Sequence, residues 1–258
     1  MLDFKEMTPE MDYFCFGEGS RPFVILPGMS LKSVMLSAGF IKTAFSAFCR
    51  DFKVYVFDRV RNMPDDYSVS GMAEDTVLMM KSLDIREAFI YGASQGAMMA
   101  LTIAAQHPEM VSRLALASTS ARPNPVSVAT MTRWEELARG TDAAALNREV
   151  FSKVYSPEYY HRYQKAFSLL EPEGTPEEMR RFAIMAAATR TFDMYSSLDR
   201  ISCPVFLAGM EEDTVLGSQG VREIADRLGC ELLLYPGKGH ACYDEDPQFP
   251  ARLLTFAR

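Results

Sequence analysis

Six short runs of apolar residues recur along this chain, and segments with helical periodicity separate them. Each run is almost continuously apolar, which is the pattern of a strand covered on both faces. Strands that alternate with helices predict an α/β fold with a mostly parallel central sheet and helices on both faces. The first 16 residues are expected to add an antiparallel hairpin at the sheet edge. The predicted strands span residues 21–28, 52–58, 88–93, 113–118, 204–209 and 230–235.

The alternation of strands and helices stops between residues 122 and 198. Helices are predicted there at about 127–139, 142–154, 157–170 and 176–194, two of them with proline at the first helical position. We therefore expect residues 1–121 and 199–258 to form the core and residues 122–198 an inserted helical cap or lid. Either the insertion only adds bulk, or it covers the carboxyl edge of the sheet, where open α/β sheets bind ligands.

Charge and composition exclude several classes of partner. The chain has 27 lysines and arginines against 34 acidic residues, a net charge of −7, which disfavours nucleic-acid binding and a polybasic membrane anchor. No apolar run is long enough to span a membrane, and the first residues lack the pattern of a secretory signal. The five cysteines contain no C-x-x-C pair and fit reduced thiols in a cytoplasmic protein. The oligomeric state is left open.

No cofactor or metal is expected. The chain has three histidines, and they are far apart, with no H-E-x-x-H motif or carboxylate–histidine cluster. No G-x-G-x-x-G follows the first strand, so a dinucleotide site is also disfavoured.

The motif Gly92-Ala93-Ser94-Gln95-Gly96 lies between a predicted strand and a predicted helix. A serine on such a sharp turn is exposed to a substrate, and the small residues on either side allow the turn to form. The helix N-terminus then directs free N–H groups and a positive dipole end towards the serine. Ser94 is therefore the candidate nucleophile, the alternative being a glycine-lined packing turn with an inert serine.

A serine nucleophile needs a base, and three histidines are available. His107 is at the far end of the helix that follows Ser94, roughly 18 Å away at the helical rise per residue. His161 is in the insertion among tyrosines, where a surface, aromatic-packing or pocket-facing position is open. His240 follows the last predicted strand in a Gly-x-Gly-His loop, which would bring a base to the sheet edge. We therefore expect His240 to be the base.

The base needs a carboxylate that orients its ring and stabilises its charged form. Three acids, Glu211, Glu212 and Asp213, follow the strand at 204–209. Asp213 is favoured because its side chain is shorter and more rigid, with Glu212 as the competitor; a solvated acidic loop is the alternative reading for all three.

An oxyanion formed on the substrate would need two backbone N–H donors. One is expected from Gln95, the residue after the nucleophile. The other is expected from Met29, because Pro27-Gly28 allows a close turn after the strand at 21–28, although the dipeptide could also be a turn without this role.

These residues in this order resemble the α/β-hydrolase superfamily, and the resemblance covers nearly the whole chain. The order Ser94, Asp213, His240 is that of the family. Two departures are present: Arg61-Asn62-Met63-Pro64 replaces the usual glycine-rich stretch, and proline begins the oxyanion loop where many members have histidine. Similar segments are the Leu26–Met29 turn, Phe57-Asp58-Arg59, Gly239-His240-Ala241 and the four-helix insertion at the position of the family's lid.

The resemblance implies a cofactor-independent serine hydrolase that cleaves an ester or related acyl bond of a small substrate through an acyl-enzyme. Apolar side chains in the insertion favour an apolar acyl group, although most of them would also fit the insertion's own core. The alternatives are carbon–carbon bond hydrolysis, thioester hydrolysis or perhydrolysis by the same residues. A non-catalytic, ligand-sensing protein is a further alternative.

Overall fold

A computed structural model describes residues 9–170 and 174–258. Its centre is a seven-stranded sheet in the order β1-β3-β2-β4-β5-β6-β7. β1 is antiparallel to β3, and every other neighbouring pair is parallel. The strands are β1 (Met11–Phe16), β2 (Arg21–Leu26), β3 (Phe52–Val60), β4 (Ala88–Ala93), β5 (Val111–Ala117), β6 (Val205–Met210) and β7 (Leu232–Tyr235).

The predicted α/β class with a mostly parallel sheet is confirmed. The expected edge hairpin is represented by β1, and its other half would fall on residues 1–8, outside the described residues. The helices are α1 (Ala38–Ala44), α2 (Val69–Ser82), α3 (Gln95–Gln106), α4 (Pro125–Ala138), α5 (Ala143–Val154), α6 (Pro157–Leu170), α7 (Pro176–Thr191), α8 (Ser218–Leu228), α9 (Cys242–Glu245) and α10 (Phe249–Ala257).

The sheet is covered on both faces, which explains the continuous apolar runs. Alternate residues of β2 point to opposite faces: Val24 and Leu26 pack with α2 and α3, and Phe23 and Ile25 pack with aromatic residues and α10. Each face therefore has its own hydrophobic cluster.

Along the chain, helices α4–α7 come between β5 and β6, and they form the insertion. Asn124 caps α4 and Thr175 caps α7, each in a reciprocal capping box with the residue three positions on. Trp134 of α4 and Phe182 of α7 are buried with ring centroids 6.0 Å apart. Most of the large apolar side chains of the insertion are thus used in packing.

The parallel sheet brings four loops to one edge. The strands β2, β4, β6 and β7 end just before Met29, Ser94, Asp213 and His240, respectively. Because these strands run in the same direction, the four residues follow carboxyl ends at the same edge of the sheet, where α/β folds bind ligands.

Candidate active site

Ser94 occupies a strained turn between β4 and α3. Its φ is +53° and its ψ is −121°, a conformation that non-glycine residues rarely adopt. A Cβ on Gly92 would lie 2.4 Å from the carbonyl oxygen of Gly96, and a Cβ on Gly96 would lie 2.0 Å from that of Leu26. Both positions therefore require glycine for this turn to pack against β2.

His240 lies between Ser94 and Asp213. Its Nε2 is 2.9 Å from Ser94 Oγ, and its Nδ1 is 3.0 Å from Asp213 Oδ2. All three residues are buried, with exposed fractions of 7%, 3% and 7% for Ser94, His240 and Asp213. A hydroxyl, an imidazole and a carboxylate are thus connected in a line from which bulk water is largely excluded.

The Asp213 carboxylate is held in its charged form by its neighbours. Burial alone would raise its pKa, but the charge and hydrogen bond of His240 and the backbone N–H groups of Leu216 and Val215 outweigh burial. The pKa of Asp213 therefore lies below its ordinary value. Those N–H groups donate to Oδ1 at 3.0 and 2.8 Å, whereas Glu211 and Glu212 are exposed.

Ser118, which was not predicted as a site residue, supports the loop that carries His240. This residue follows β5 with a φ of +56°, and its hydroxyl donates to the carbonyl oxygen of His240 at 2.6 Å. The next residue, Thr119, donates to the carbonyl oxygen of Ser94 at 3.3 Å. The polar run Ser118-Thr119-Ser120 at the end of an apolar strand could have indicated this role.

The backbone around Ser94 contains two N–H groups that remain free to bind a ligand. Within the described residues, the N–H groups of Met29 and Gln95 donate to no protein acceptor. Gly28 lets the Met29 loop approach the serine, because a Cβ at Gly28 would be 3.3 Å from Ser94 Cβ. One donor thus follows Gly28 in the chain and the other follows Ser94 itself, so both belong to the backbone next to the serine.

The Gln95 side chain connects the Ser94 turn to the insertion, a role that was not predicted from the sequence. Its Nε2 donates to the Met185 carbonyl oxygen at 2.8 Å and to Thr189 Oγ1 at 2.7 Å, both on α7. Its Oε1 accepts a hydrogen bond from Arg59 Nη2 at 3.1 Å. A fully buried amide thus links α3, β3 and α7 beside Ser94.

A second tie joins the insertion to the His240 loop, and it was also missed. The buried carboxylate of Glu245 accepts hydrogen bonds from the Ser156 N–H and hydroxyl, both at 2.7 Å, and from the Gly239 N–H at 3.1 Å. The Ala241 N–H donates to the carbonyl oxygen of Val154 at 2.9 Å. The link between α5 and α6 is therefore in direct contact with the loop that positions His240.

Asp244, beside this tie, is partly buried and has an unusual pKa. Burial raises the pKa of its carboxyl from 3.8 to about 6, opposed by the hydrogen bond that Tyr155 donates to it at 3.2 Å. The negative charge of Glu245 adds to the increase. The folded chain therefore binds a proton at Asp244 more tightly than the unfolded chain does.

Replacing Asp244 by asparagine should change the pH dependence of stability. The contribution of protonated Asp244 is full below the unfolded pKa and is lost as the pH rises through about 6. Lowering the pH from 7.5 to 4.5 should therefore stabilise the wild type relative to Asp244→Asn by about 1–3 kcal/mol. Urea unfolding at both pH values measures this difference, with the exposed Asp66→Asn as the control. A pH-independent difference would contradict the prediction.

The other two histidines lie away from Ser94. His107 ends α3, with Nε2 2.8 Å from Glu74 Oε1, and His161 is exposed on α6. Within residues 9–170 and 174–258, no three His, Cys, Asp or Glu side chains come together as a metal site. The same part of the chain has no helix with the length and hydrophobicity needed to cross a bilayer.

The chain is similar to known hydrolases in sequence and structure. It is 28% identical over 227 residues to "Putative carbamate hydrolase RutD" of Pseudomonas savastanoi pv. phaseolicola, covering 82% of this chain and 85% of that protein. The structure of MGS-M2, an α/β hydrolase from a Medee basin deep-sea metagenome library, has a TM-score of 0.84 at 24% identity, covering 95% and 93% of the two chains. The enol-lactonase of Burkholderia xenovorans has a TM-score of 0.83 at 19% identity and 96% coverage of both.

The family match extends over most of the chain and includes Ser94, Asp213 and His240. Residues 65–247 match the Hydrolase_4 family, described as serine aminopeptidase, S33. The chain belongs to this family of the α/β-hydrolase superfamily and is a hydrolase.

Proposed function

We propose that Ser94, His240 and Asp213 form the catalytic triad of a serine hydrolase that cleaves an ester or related acyl bond of a small substrate. The observation that carries this proposal is the buried line of contacts from Ser94 Oγ through the His240 ring to Asp213, with distances of 2.9 and 3.0 Å. A hydroxyl within hydrogen-bond distance of an imidazole oriented by a carboxylate has the arrangement of an activated nucleophile.

The reaction begins when Ser94 Oγ attacks the substrate carbonyl carbon while its proton passes to His240 Nε2. Asp213 holds the ring in the required tautomer and stabilises the imidazolium. The N–H groups of Met29 and Gln95 donate to the oxyanion of the tetrahedral intermediate. His240 then protonates the leaving group, and afterwards it activates a water molecule that releases the acyl group from Ser94.

The names of the similar proteins support a carbonyl bonded to a heteroatom as the target. A carbamate and an enol lactone both contain such a carbonyl, and both names come from chains of similar length to this one. A carbamate therefore belongs in the substrate screen beside simple esters.

We also propose that residues 122–198 act as a cap on a core formed by residues 1–121 and 199–258. The contacts of Gln95 with α7 and of Glu245 with Ser156 support this division, because they join the insertion to the turns that carry Ser94 and His240. A cap in this position would limit access to Ser94 and would shape the acyl pocket.

Labelling with a fluorophosphonate tests the triad. The reagent should bind covalently to Ser94, as located by mass spectrometry, and the protein should hydrolyse p-nitrophenyl butyrate. Ser94→Ala should abolish both signals, whereas Ser152→Ala, at an exposed serine of α5, should keep both. Labelling of a different serine, or an unchanged hydrolysis rate in Ser94→Ala, would overturn the proposal.

Removing the Glu245 carboxylate should weaken both stability and turnover. Glu245→Ala leaves the buried donors of Ser156 and Gly239 without their acceptor, so we expect a loss of about 2–4 kcal/mol in the free energy of unfolding. The value of kcat should fall as well, because the His240 loop loses its contact with the cap. Glu245→Gln, which keeps an acceptor oxygen, should retain more of both quantities.

Urea unfolding and p-nitrophenyl butyrate kinetics measure these effects. The exposed Glu231→Ala is the matched control, because the same atoms are removed without loss of a buried contact. Equal unfolding midpoints for Glu245→Ala and Glu231→Ala would show that the contact with the cap is dispensable.

A further inference from the structure

A cavity of about 230 Å³ lies where the loop after β2 meets the end of β3 and helix α7. Its wall includes a neighbour of Ser94, because Gly28 lies in the wall and a Cβ at Gly28 would be 3.3 Å from Ser94 Cβ. Its wall includes Pro27, Gly28, Asp58, Arg59, Arg181 and Met185.

Arg59 is a buried cation in the wall of this cavity. It is 4% exposed, its Nη2 donates to the neutral amide oxygen of Gln95, and its Nε has no hydrogen-bond partner. No carboxylate of the described residues lies within ion-pair distance of it. Burial lowers its pKa to about 10, opposed by the more distant charge of Asp58, so the group remains charged at neutral pH. A buried charge without a direct ion pair is costly, which favours the binding of an anion there.

Arg181 of α7 adds a second guanidinium to the same wall. Its Nη1 donates to the backbone carbonyl oxygens of Val60 at 2.7 Å and Arg61 at 2.6 Å. Its charge acts on Arg59, since it contributes to the lowered pKa of that group. Among the described residues, it also has no carboxylate within ion-pair distance.

The other charged groups around the cavity are already engaged. Lys32 pairs with Glu178, Arg61 pairs with Asp12, and Glu177 pairs with Arg180. The Asp58 carboxylate accepts hydrogen bonds from the Ser33 hydroxyl and from the backbone N–H of Arg59. Among the wall residues, Arg59 and Arg181 are therefore the cations without an ion pair, and Asp58 is the carboxylate without one.

We infer that this cavity is a subsite for a carboxylate on the substrate, bound by Arg59 and Arg181. The inference rests on the proposed function, because it assigns a substrate class to the reaction at Ser94. A guanidinium binds a planar carboxylate through paired N–H donors, and the nearness of the wall residue Gly28 to Ser94 favours a short chain between the carboxylate and the bond to be cleaved. The preferred substrate is thus a short-chain acyl compound that carries a carboxylate as well as the bond to be cleaved.

The test compares two esters of equal chain length, p-nitrophenyl butyrate and p-nitrophenyl hydrogen succinate. They differ in that a carboxylate replaces the terminal methyl group. We expect the wild type to have a kcat/KM about 10- to 100-fold higher for the succinate ester. Arg181→Gln should lower this ratio towards one. Arg181 is the better position to change, because it is partly exposed on the cap, whereas replacing the buried Arg59 could prevent folding.

Arg180→Gln is the matched control. Its guanidinium is next in sequence on the same helix but pairs with Asp65 and Glu177 and lies outside the cavity wall, so the ratio should stay at the wild-type value. A wild-type preference for the butyrate ester, or equal ratios in Arg181→Gln and Arg180→Gln, would overturn the subsite while leaving the triad intact.

A binding measurement separates failure of the subsite from failure of the proposed function. In the Ser94→Ala protein, monomethyl succinate should raise the melting temperature and methyl butyrate should not, and Arg181→Gln should remove this difference. If the wild type hydrolyses neither ester, the proposed function fails, and the melting shift still decides the carboxylate site. Equal shifts of the melting temperature with the two methyl esters would overturn the carboxylate subsite.

Discussion

Replacing His240 by alanine should lower kcat/KM for p-nitrophenyl butyrate by about 10⁴- to 10⁶-fold. The ring Nε2 is 2.9 Å from Ser94 Oγ, so its removal leaves the hydroxyl without a base and the leaving group without an acid. Residual turnover would come from the oxyanion donors and from binding alone, because members of a triad act as a unit. Steady-state kinetics with purified protein measures the loss.

The chain supplies controls for this variant at its two other histidines. His107→Ala removes a ring that contacts Glu74 at the far end of α3, and His161→Ala removes an exposed ring on α6. Both variants should keep kcat/KM within about threefold of the wild-type value, since surface changes of this kind have small effects. A comparable loss in either control, or a His240→Ala protein with more than a tenth of wild-type activity, would contradict the assignment of the base.

Gly96→Ala should destabilise the fold by more than about 4 kcal/mol. The new Cβ would be placed 2.0 Å from the Leu26 carbonyl oxygen and 2.5 Å from that of Pro27. These are backbone atoms, and β2 is paired on both sides with β3 and β4, so it cannot move away without disrupting the centre of the sheet. The urea unfolding midpoint and the soluble yield measure the effect.

Gly39→Ala adds the same methyl group at a harmless position and is the control. A Cβ there has no heavy atom within 4 Å, and the residue lies in α1, where alanine favours the helix by up to about 1 kcal/mol. The control should be as stable as the wild type or slightly more stable. A Gly96→Ala protein with the unfolding midpoint of the control would show that the turn tolerates a side chain.

The strands and the inserted helices could be predicted from the sequence because burial on both faces gives continuous apolar runs, and proline and capping residues mark helix starts. β3 extends to Val60, two residues past the predicted end at Asp58. The prediction was too short because Arg59 breaks the apolar pattern. A buried arginine at a strand end looks like an exposed one until its surroundings are known. Its hydrogen-bond partner, Gln95, comes 36 residues later in the chain.

The candidate triad could be proposed from spacing and order because each of its residues follows a strand end. The contacts between the insertion and the loops that carry Ser94 and His240 could not be predicted in this way. Glu245 is one acid in the run Asp244-Glu245-Asp246, which in sequence is typical of a solvated loop. Its partner Ser156 is 89 residues away, and no local pattern indicates which carboxylate of the run turns inward.

The contact between Gly239 and Ser156 limits how freely the insertion could be exchanged between relatives. A Cβ at Gly239 would lie 2.4 Å from the Ser156 nitrogen, so the backbones of the His240 loop and of the insertion are in close contact. A chimera with a helical insertion from another protein would have to keep residues 154–156 in place. Otherwise the loop that carries His240 would move. New pockets would therefore arise more easily by changing single side chains of α4 than by replacing the whole insertion.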